Sequence, residues 1–249
     1  MTVDYNDESY NYKSYWFGRS YEHNAEVIAL KKLLPKKGEK IIDIGGGFGR
    51  LLSVYRNNFD EATILEPSKK LLEQMEENVL LGSDPAGVRP LKILKINADV
   101  MNISKELVGN YDCAIMIRVS HHLEDLEAAV ASISKLTTKG GVFIFEFANK
   151  MHFLNVLKNA IKLNFRFFSK EPYKLGTFTL WHPAYVKEAL EKNGFRLEEK
   201  LSVSNFRSPL LKKAMPENIL LVLEDLLQGP LSCINFGPSV FVKAVKISN

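Results

Sequence analysis

Apolar and polar positions along the chain follow two rhythms. Short, almost continuously apolar runs occur at residues 40–44, 62–66, 91–96, 112–117 and 142–147. Between them, at 50–57, 68–81, 104–108 and 125–136, apolar residues recur three and four apart. The first rhythm predicts strands covered on both faces, and the second predicts helices packed against them. Strands alternating with helices imply βαβ units and a parallel sheet. A further helix is predicted from Ser20, carried by Ala25, Val27, Ile28, Ala29, Leu30 and Leu34 and stopped by Pro35. Residues 1–18 show no period and read as an arm, although Tyr15-Trp16-Phe17 is too apolar to float freely. Residues 82–90, with Gly82, Pro85 and Gly87, read as a loop.

After Asn149 the rhythm changes. A long, basic amphipathic stretch covers 151–170, and a helix is predicted over 183–193. Strands are predicted over 195–203 and 239–247. An apolar helical segment at 216–227 lies between those strands, bracketed by Pro209, Pro216 and Pro230. The expected fold is α/β: a doubly wound, mostly parallel seven-stranded sheet with helices on both faces, an antiparallel C-terminal strand and helical insertions. One domain is expected over 1–249, with an arm and helix at 1–37, a cofactor-binding core at 38–148 and substrate-side insertions and C-terminal strands at 149–249.

Composition narrows the class without changing this picture. With 249 residues, 46% of them hydrophobic, the chain can bury one substantial core. A charged fraction of 25% does not fit a disordered chain. The net charge of +4 does not by itself imply a nucleic-acid partner, and none is expected. Its distribution says more: residues 150–213 carry 13 Lys/Arg against 5 Asp/Glu, so the remainder is net acidic. Cys113 and Cys233 have no metal-binding spacing, and a reduced compartment is the simple reading. The polar, acidic, tyrosine-rich start is unlike a signal peptide. No apolar run approaches the roughly 18–20 residues that span a bilayer. The expected location is the cytoplasm.

The densest chemical signal follows the first predicted strand, in Asp43-Ile44-Gly45-Gly46-Gly47-Phe48-Gly49-Arg50. Glycines at alternate positions suit a backbone that must turn tightly and approach a ligand too closely for a Cβ. A helix N-terminus after the loop would offer unpaired N–H groups. The dinucleotide fingerprint G-x-G-x-x-G/A fits neither register, because Arg50 or Leu52 stands where its last glycine belongs. A phosphate-binding Walker loop is excluded, since no G-K-[ST] follows.

Asp43, Gly45, Gly47 and Gly49 resemble motif I, D-x-G-x-G-x-G, of the class I (Rossmann-like) S-adenosylmethionine-dependent methyltransferases, of the small-molecule type. The resemblance covers roughly residues 38–148. It implies a cofactor without a diphosphate, S-adenosyl-L-methionine, held by Asp43, Gly45, Gly46, Gly47 and Gly49. It also implies that Glu66, beside Pro67, accepts hydrogen bonds from the ribose diol. Asp99 would contact the adenine amino group, and the backbone of Val100 would face the ring. Arg118 would line the methionine side. A solvated strand-end carboxylate at Glu66 and a cap or turn role at Asp99 compete with these assignments.

The expected activity is methyl transfer to a small-molecule acceptor, acidic or lipid-like. An NAD(P)-dependent oxidoreductase and a non-catalytic S-adenosylmethionine-binding protein are the alternatives. His121 and His122, at the carboxyl mouth of the sheet, are the candidates for a general base. Packing or capping of the helix that starts at Asp125 competes with that role. No metal site is expected, because adjacent histidines lack the i,i+4 spacing of a helical ligand pair. Lys158, Lys162, Arg166 and Lys170 recur every four residues beside Phe153, Leu154, Leu157, Ile161, Phe165 and Phe168. That stretch reads as a lid whose apolar side joins the core, as a surface for acidic substrates, or as a peripheral contact with anionic lipid. Trp181 and His182 either line the pocket or, for Trp181, fill core volume. The aromatic arm either closes over the cofactor or packs on the sheet. The segment at 216–227 is either buried or a dimer contact.

Overall fold

The computed structural model describes residues 5–7, 11–81, 91–103 and 107–248, apart from the side chains of 76–81. The loop expected at 82–90, and residues 104–106 of the helix expected at 104–108, lie outside the described residues.

The five βαβ strands form as their apolar runs demand. β1 (Lys40–Ile44), β2 (Glu61–Leu65), β3 (Lys92–Ile96), β4 (Tyr111–Met116) and β5 (Thr137–Ala148) are parallel. A hairpin of β6 (Tyr173–Leu175) and β7 (Phe178–Leu180) stands apart from them. β8 (Phe195–Val203) and β9 (Ser239–Lys246) complete the main sheet, with β9 antiparallel to both β5 and β8. The order β3-β2-β1-β4-β5-β9-β8 reverses direction between β1 and β4. In such sheets ligands bind beyond the carboxyl ends of the strands at that switch point.

Successive strand residues feed opposite layers. Ile41, Ile115, Ile144 and Phe241 pack beneath α1 (Ser20–Leu33), α2 (Leu52–Tyr55), α3 (Lys69–Leu81) and α8 (Glu217–Ser232). Ile42, Met116, Phe143, Phe145 and Val242 pack beneath α4 (Leu126–Leu136) and α6 (Pro183–Lys192). The expected doubly wound sheet is therefore present. α4 starts where Asp125 accepts a hydrogen bond from the Ala128 N–H at 3.0 Å. It passes without a loop into β5. There the Lys246 ammonium from β9 donates to the carbonyls of Ser134 and Thr137, which the helix end leaves without an intrahelical donor.

The departures lie in the segments that follow β5. The amphipathic stretch contributes only α5 (Phe153–Ile161), followed by a 3-10 turn at Phe165–Phe168 and the β6–β7 hairpin. α5 has no buried residue. α7 (Pro209–Ala214) precedes α8, whose inward face is Leu220, Glu224, Gln228 and Ser232. Glu224 accepts from the Tyr21 hydroxyl at 2.6 Å and from the amides of Ser204 and Asn205 at 2.8 and 3.0 Å. α8 is thus docked on α1 and β8 through a polar network centred on Glu224. Among the described residues no helix is long and apolar enough to cross a membrane.

Candidate active site

The loop after β1 is bent by backbone that only glycine adopts cheaply. Gly45, Gly47 and Gly49 have φ of +69°, +56° and +77°. At Gly45 a Cβ would lie 2.2 Å from Val119 Cγ2, so this backbone is pressed against the turn after β4. At Gly47 a Cβ would stand 3.8 Å from Tyr12 Cε1 and 3.9 Å from Leu71 Cδ1. Both neighbours wall the same cavity as Gly47, so a side chain would intrude on it. The helix expected from Arg50 begins at Leu52 and lasts one turn, after the bonds Gly49 N–H to Gly46 O and Leu52 N–H to Gly49 O. The loop presents bare main chain, without the long helix N-terminus that favours a diphosphate.

A cavity of about 260 Å³ opens at the carboxyl ends of β1, β2, β3 and β4. Glu66 lines it and is 5% exposed. Its two oxygens each take one amide hydrogen, from Gly47 at 3.0 Å and Ser68 at 2.9 Å. These bonds fix the carboxylate and leave acceptor capacity on both oxygens for a diol. Burial raises the Glu66 pKa, and the two amides oppose that rise. Asp99 also lines the cavity, and its Oδ1 accepts from the Met101 N–H at 2.7 Å, so turn and lining roles coexist. Gly45, Gly47, Pro67, Val100, Arg118 and His122 complete the expected residues that meet here.

Asp43, Gly46, Gly49 and His121 do not line this cavity. Asp43 is 2% exposed and lies beneath the loop, accepting from the Tyr55 hydroxyl at 3.0 Å. Burial pushes its carboxyl up to about 7. A Cβ at Gly46 would crowd Ile64 Cγ2 at 2.8 Å and Asp43 Cγ at 3.0 Å. These residues shape the loop from below.

Arg118 is held in a left-handed conformation, φ +64°, which costs a non-glycine residue energy and places its N–H 2.9 Å from Glu146 Oε2. Its guanidinium turns to Glu26 of α1, with Nε 2.6 Å from Oε1. Arg50 takes the other oxygen of Glu26 at 2.7 Å and stacks over Trp16, 3.8 Å from the ring centre. Glu26 is wholly buried; burial would raise its pKa, but the Arg118 and Arg50 charges hold it below the usual carboxylate range. Glu146, also buried, accepts from the Ser239 hydroxyl at 2.6 Å, and burial raises its pKa. The cation beside the cavity is thus countered by Glu26.

A second cavity, of about 560 Å³, adjoins the first. Tyr5, Tyr12, Arg118 and His122 line both. His121 lines only the second, beside Phe178, whose ring centre is 5.1 Å away. The two imidazoles stand 4.0 Å apart, and His122 Nε2 lies 3.0 Å from the Tyr5 hydroxyl. Burial, with the neighbouring His122 and Arg118, lowers His121 to about 3; burial lowers His122 as well. Both shifts favour the neutral imidazole. Asn149, His152 and Asn155 line the far wall, and burial lowers His152 to about 4. A concavity of about 650 Å³ at the opposite end of the strands is lined by turn residues. There Asp112 accepts from the amides of Glu39 and Lys40, a structural role.

Trp181 is core, 1% exposed, with Nε1 donating to Ser120 O at 2.9 Å. His182 caps α6 by accepting from the Ala184 N–H at 3.1 Å. From the arm, Tyr12 and Tyr5 reach the cavities, whereas Tyr21 is core and Phe17 is 80% exposed. Glu26 and Glu146 escaped sequence reasoning, although each announces itself as a carboxylate on an otherwise apolar face.

A family model described as "Methyltransferase domain" matches residues 18–200. No curated protein matches the chain. Among solved structures, one described as an S-adenosylmethionine-dependent methyltransferase of Listeria monocytogenes superposes with a TM-score of 0.60 at 17% identity. It covers 91% of this chain and 98% of its own. Magnesium protoporphyrin IX methyltransferase from Synechocystis, with bound SAH, gives 0.58 at 18% identity over 97% and 90%. A SAM-dependent methyltransferase of Thermotoga maritima gives 0.58 at 18% over 94% of both chains. At these identities the likeness is one of fold.

Proposed function

Because the chain belongs to the methyltransferase-domain family, we propose that it transfers a methyl group from S-adenosyl-L-methionine to a small-molecule acceptor. The observation that carries this reading is the junction of two cavities across a wall shared by Tyr5, Tyr12, Arg118 and His122. One side has the features a nucleoside needs, a bare glycine backbone and a fixed carboxylate. The other has room for a small organic molecule, in the range of about 300–1,000 Å³ usual for such sites.

The cofactor supplies an electrophilic methyl group on a sulfonium, which leaves the chain to bind, orient and exclude water. Glu66 holds the ribose hydroxyls with lone pairs its two amide bonds leave open. Asp99 and the backbone of Val100 meet the adenine, with Pro67 beside them. Gly45 and Gly47 let main chain close on the cofactor, while Asp43, Gly46 and Gly49 keep the loop in shape. Arg118, paired with Glu26, brings its aliphatic stem and a countered charge to the methionine side.

His121 and His122 position the acceptor. An imidazole whose pKa lies near 3 is a weak proton acceptor at neutral pH, so His121 serves better as a hydrogen-bond acceptor than as a general base.

Calorimetric titration of S-adenosylmethionine into wild type and Glu66→Ala tests the donor site. A hydrogen bond to a charged group contributes about 1.5–3 kcal/mol, so the variant should bind roughly 10- to 100-fold more weakly. Equal affinity in the two proteins, or no binding to wild type, refutes the assignment.

A further inference from the structure

α5 is built inside out. Its apolar residues Phe153, Leu154, Leu157 and Ile161 are 47–74% exposed, whereas Asn155 and Asn159 turn inward. Asn155 lines the second cavity. A lid that joins the core would show the opposite orientation, so the core-joining reading does not hold for α5, whereas Phe167 beyond it is buried. The exposed apolar surface continues through Leu163 and Phe165, at 71% and 76% exposure. Across the cavity, Leu175 and Phe178 of the hairpin are both exposed and part of the cavity lining. The second cavity therefore carries exposed apolar side chains on its hairpin side, and the α5 that walls it through Asn155 turns its own apolar residues to water.

Charge identifies what covers this face. Lys158, Lys162, Arg166 and Lys174 border it, all exposed, and none has a carboxylate partner among the described residues. Glu171 is the one acidic residue between Lys150 and Phe178. Lysines beside an apolar stripe can run their stems along it and lift the ammonium into a headgroup layer. α8 provides the contrast: its exposed Ile219, Val222 and Leu226 accompany Glu217 and Asp225, with no Lys or Arg within the helix. The remaining anchor is Lys150, which is buried and donates to the carbonyls of Ser169 and Glu171, fastening the base of the segment to the end of β5.

We propose that the α5–hairpin face docks on an anionic lipid bilayer, with Phe153, Leu154, Leu157 and Ile161 in the interface and the mouth of the second cavity at the lipid surface. The proposal rests on the second cavity being the acceptor site, because docking there delivers a lipophilic acceptor directly to it.

The test is co-sedimentation of the full chain with phosphatidylcholine vesicles, with and without about 30% phosphatidylglycerol, at low and high salt. Wild type should bind the anionic vesicles at low salt and be released at high salt. Each basic residue at a membrane surface contributes about 1 kcal/mol, a factor of about five. Lys158→Gln with Lys162→Gln should therefore weaken binding about 25-fold, and Ile161→Ser should weaken it further. Val222→Ser with Leu226→Ser on α8 should leave it unchanged. All these positions are exposed, and calorimetric S-adenosylmethionine binding by each variant checks that it folds. That titration uses no vesicle, so a failed donor site and a failed docking face give separate results. No binding of wild type to anionic vesicles overturns the proposal. So does equal binding to neutral vesicles, or loss of binding in the α8 variant alone. A dimer that dissociates on Ile161→Ser in vesicle-free sedimentation, with no vesicle binding, assigns the face to a second copy instead.

Discussion

Replacing Glu26 with alanine removes the one carboxylate that two guanidinium groups share. Glu26 has no exposed side-chain surface, while the side chains of Arg50 and Arg118 retain 12% and 21%. Removing one member of a buried ion pair costs about 3–5 kcal/mol, mostly because the partner's charge stays buried without compensation. Both arginines keep some water and Arg118 keeps Glu146 nearby, so the lower end, about 3 kcal/mol, applies. For a domain of this length each kcal/mol shifts Tm by about 2–4 °C, which predicts a fall of about 6–12 °C. Thermal unfolding followed by circular dichroism at pH 7 measures it. The pH dependence carries an independent sign. Glu26 titrates below its ordinary value in the folded chain, so its contribution is complete above pH 4.5 and is lost as pH falls through the lower folded value. The gap between wild type and Glu26→Ala should therefore close as pH drops below about 4.5. A Tm loss under about 2 °C at pH 7, or a gap that widens on acidification, refutes the shared-carboxylate account.

Two further outcomes follow from the same site. Gly45→Ala must place a methyl 2.2 Å from Val119 Cγ2 on left-handed backbone, so it should lose S-adenosylmethionine binding at least tenfold by calorimetry. Adding Val119→Ala should restore part of the loss by relieving the overlap; an unaffected single variant would show that the loop does not close as described. His121 and His152 are held neutral at about 3 and 4, while the unfolded chain protonates them near 6.5. At these rings the unfolded state then binds more protons, whereas the raised Asp43 carboxyl acts in the opposite sense, so the imidazole is isolated by difference. As pH drops from 6.5 towards 4, wild type should lose stability in urea relative to His121→Gln, and an unchanged difference would mean that the ring is solvated. Because His121 does not line the donor cavity, the same variant should keep its S-adenosylmethionine affinity within about twofold.

What the sequence made legible is what main-chain physics dictates. β1 and β8 form at the expected bounds, the first because Ile41 and Ile42 must feed opposite layers of a covered sheet. Asp125 and Pro183 mark helix starts because caps and N1 prolines are local devices. The inside-out helices were not legible. Periodicity establishes that a helix has an apolar face, and burial is then the usual inference, but nothing in a spacing of three and four says which way that face points. α8 turns Glu224 inward because Tyr21, Ser204 and Asn205 donate to it, and Gln228 inward because its amide donates to the Ala25 carbonyl, a network joined across about 200 residues of sequence. The β6–β7 hairpin escaped notice because its strands are three residues long and mostly exposed, leaving Gly176, φ +62°, as the main local signal.

The division between legible and illegible parts follows the two cavities. The first is lined at consecutive strand ends by a glycine, a glutamate and an aspartate, each within one turn of its own strand. Such stations keep their order in the sequence, so register alone can exclude a dinucleotide loop. The second cavity draws Tyr5 and Tyr12 from the arm, His121 from the turn after β4, Asn155 from α5, Phe178 from the hairpin and Arg207 from before α7. These residues meet only through tertiary packing, and their chemistry depends on it: the same burial that gathers the histidines lowers their pKa and favours the neutral ring. On the function proposed above, a neutral wall suits an acceptor whose reacting atom already carries its lone pair, and disfavours one that must first surrender a tightly held proton.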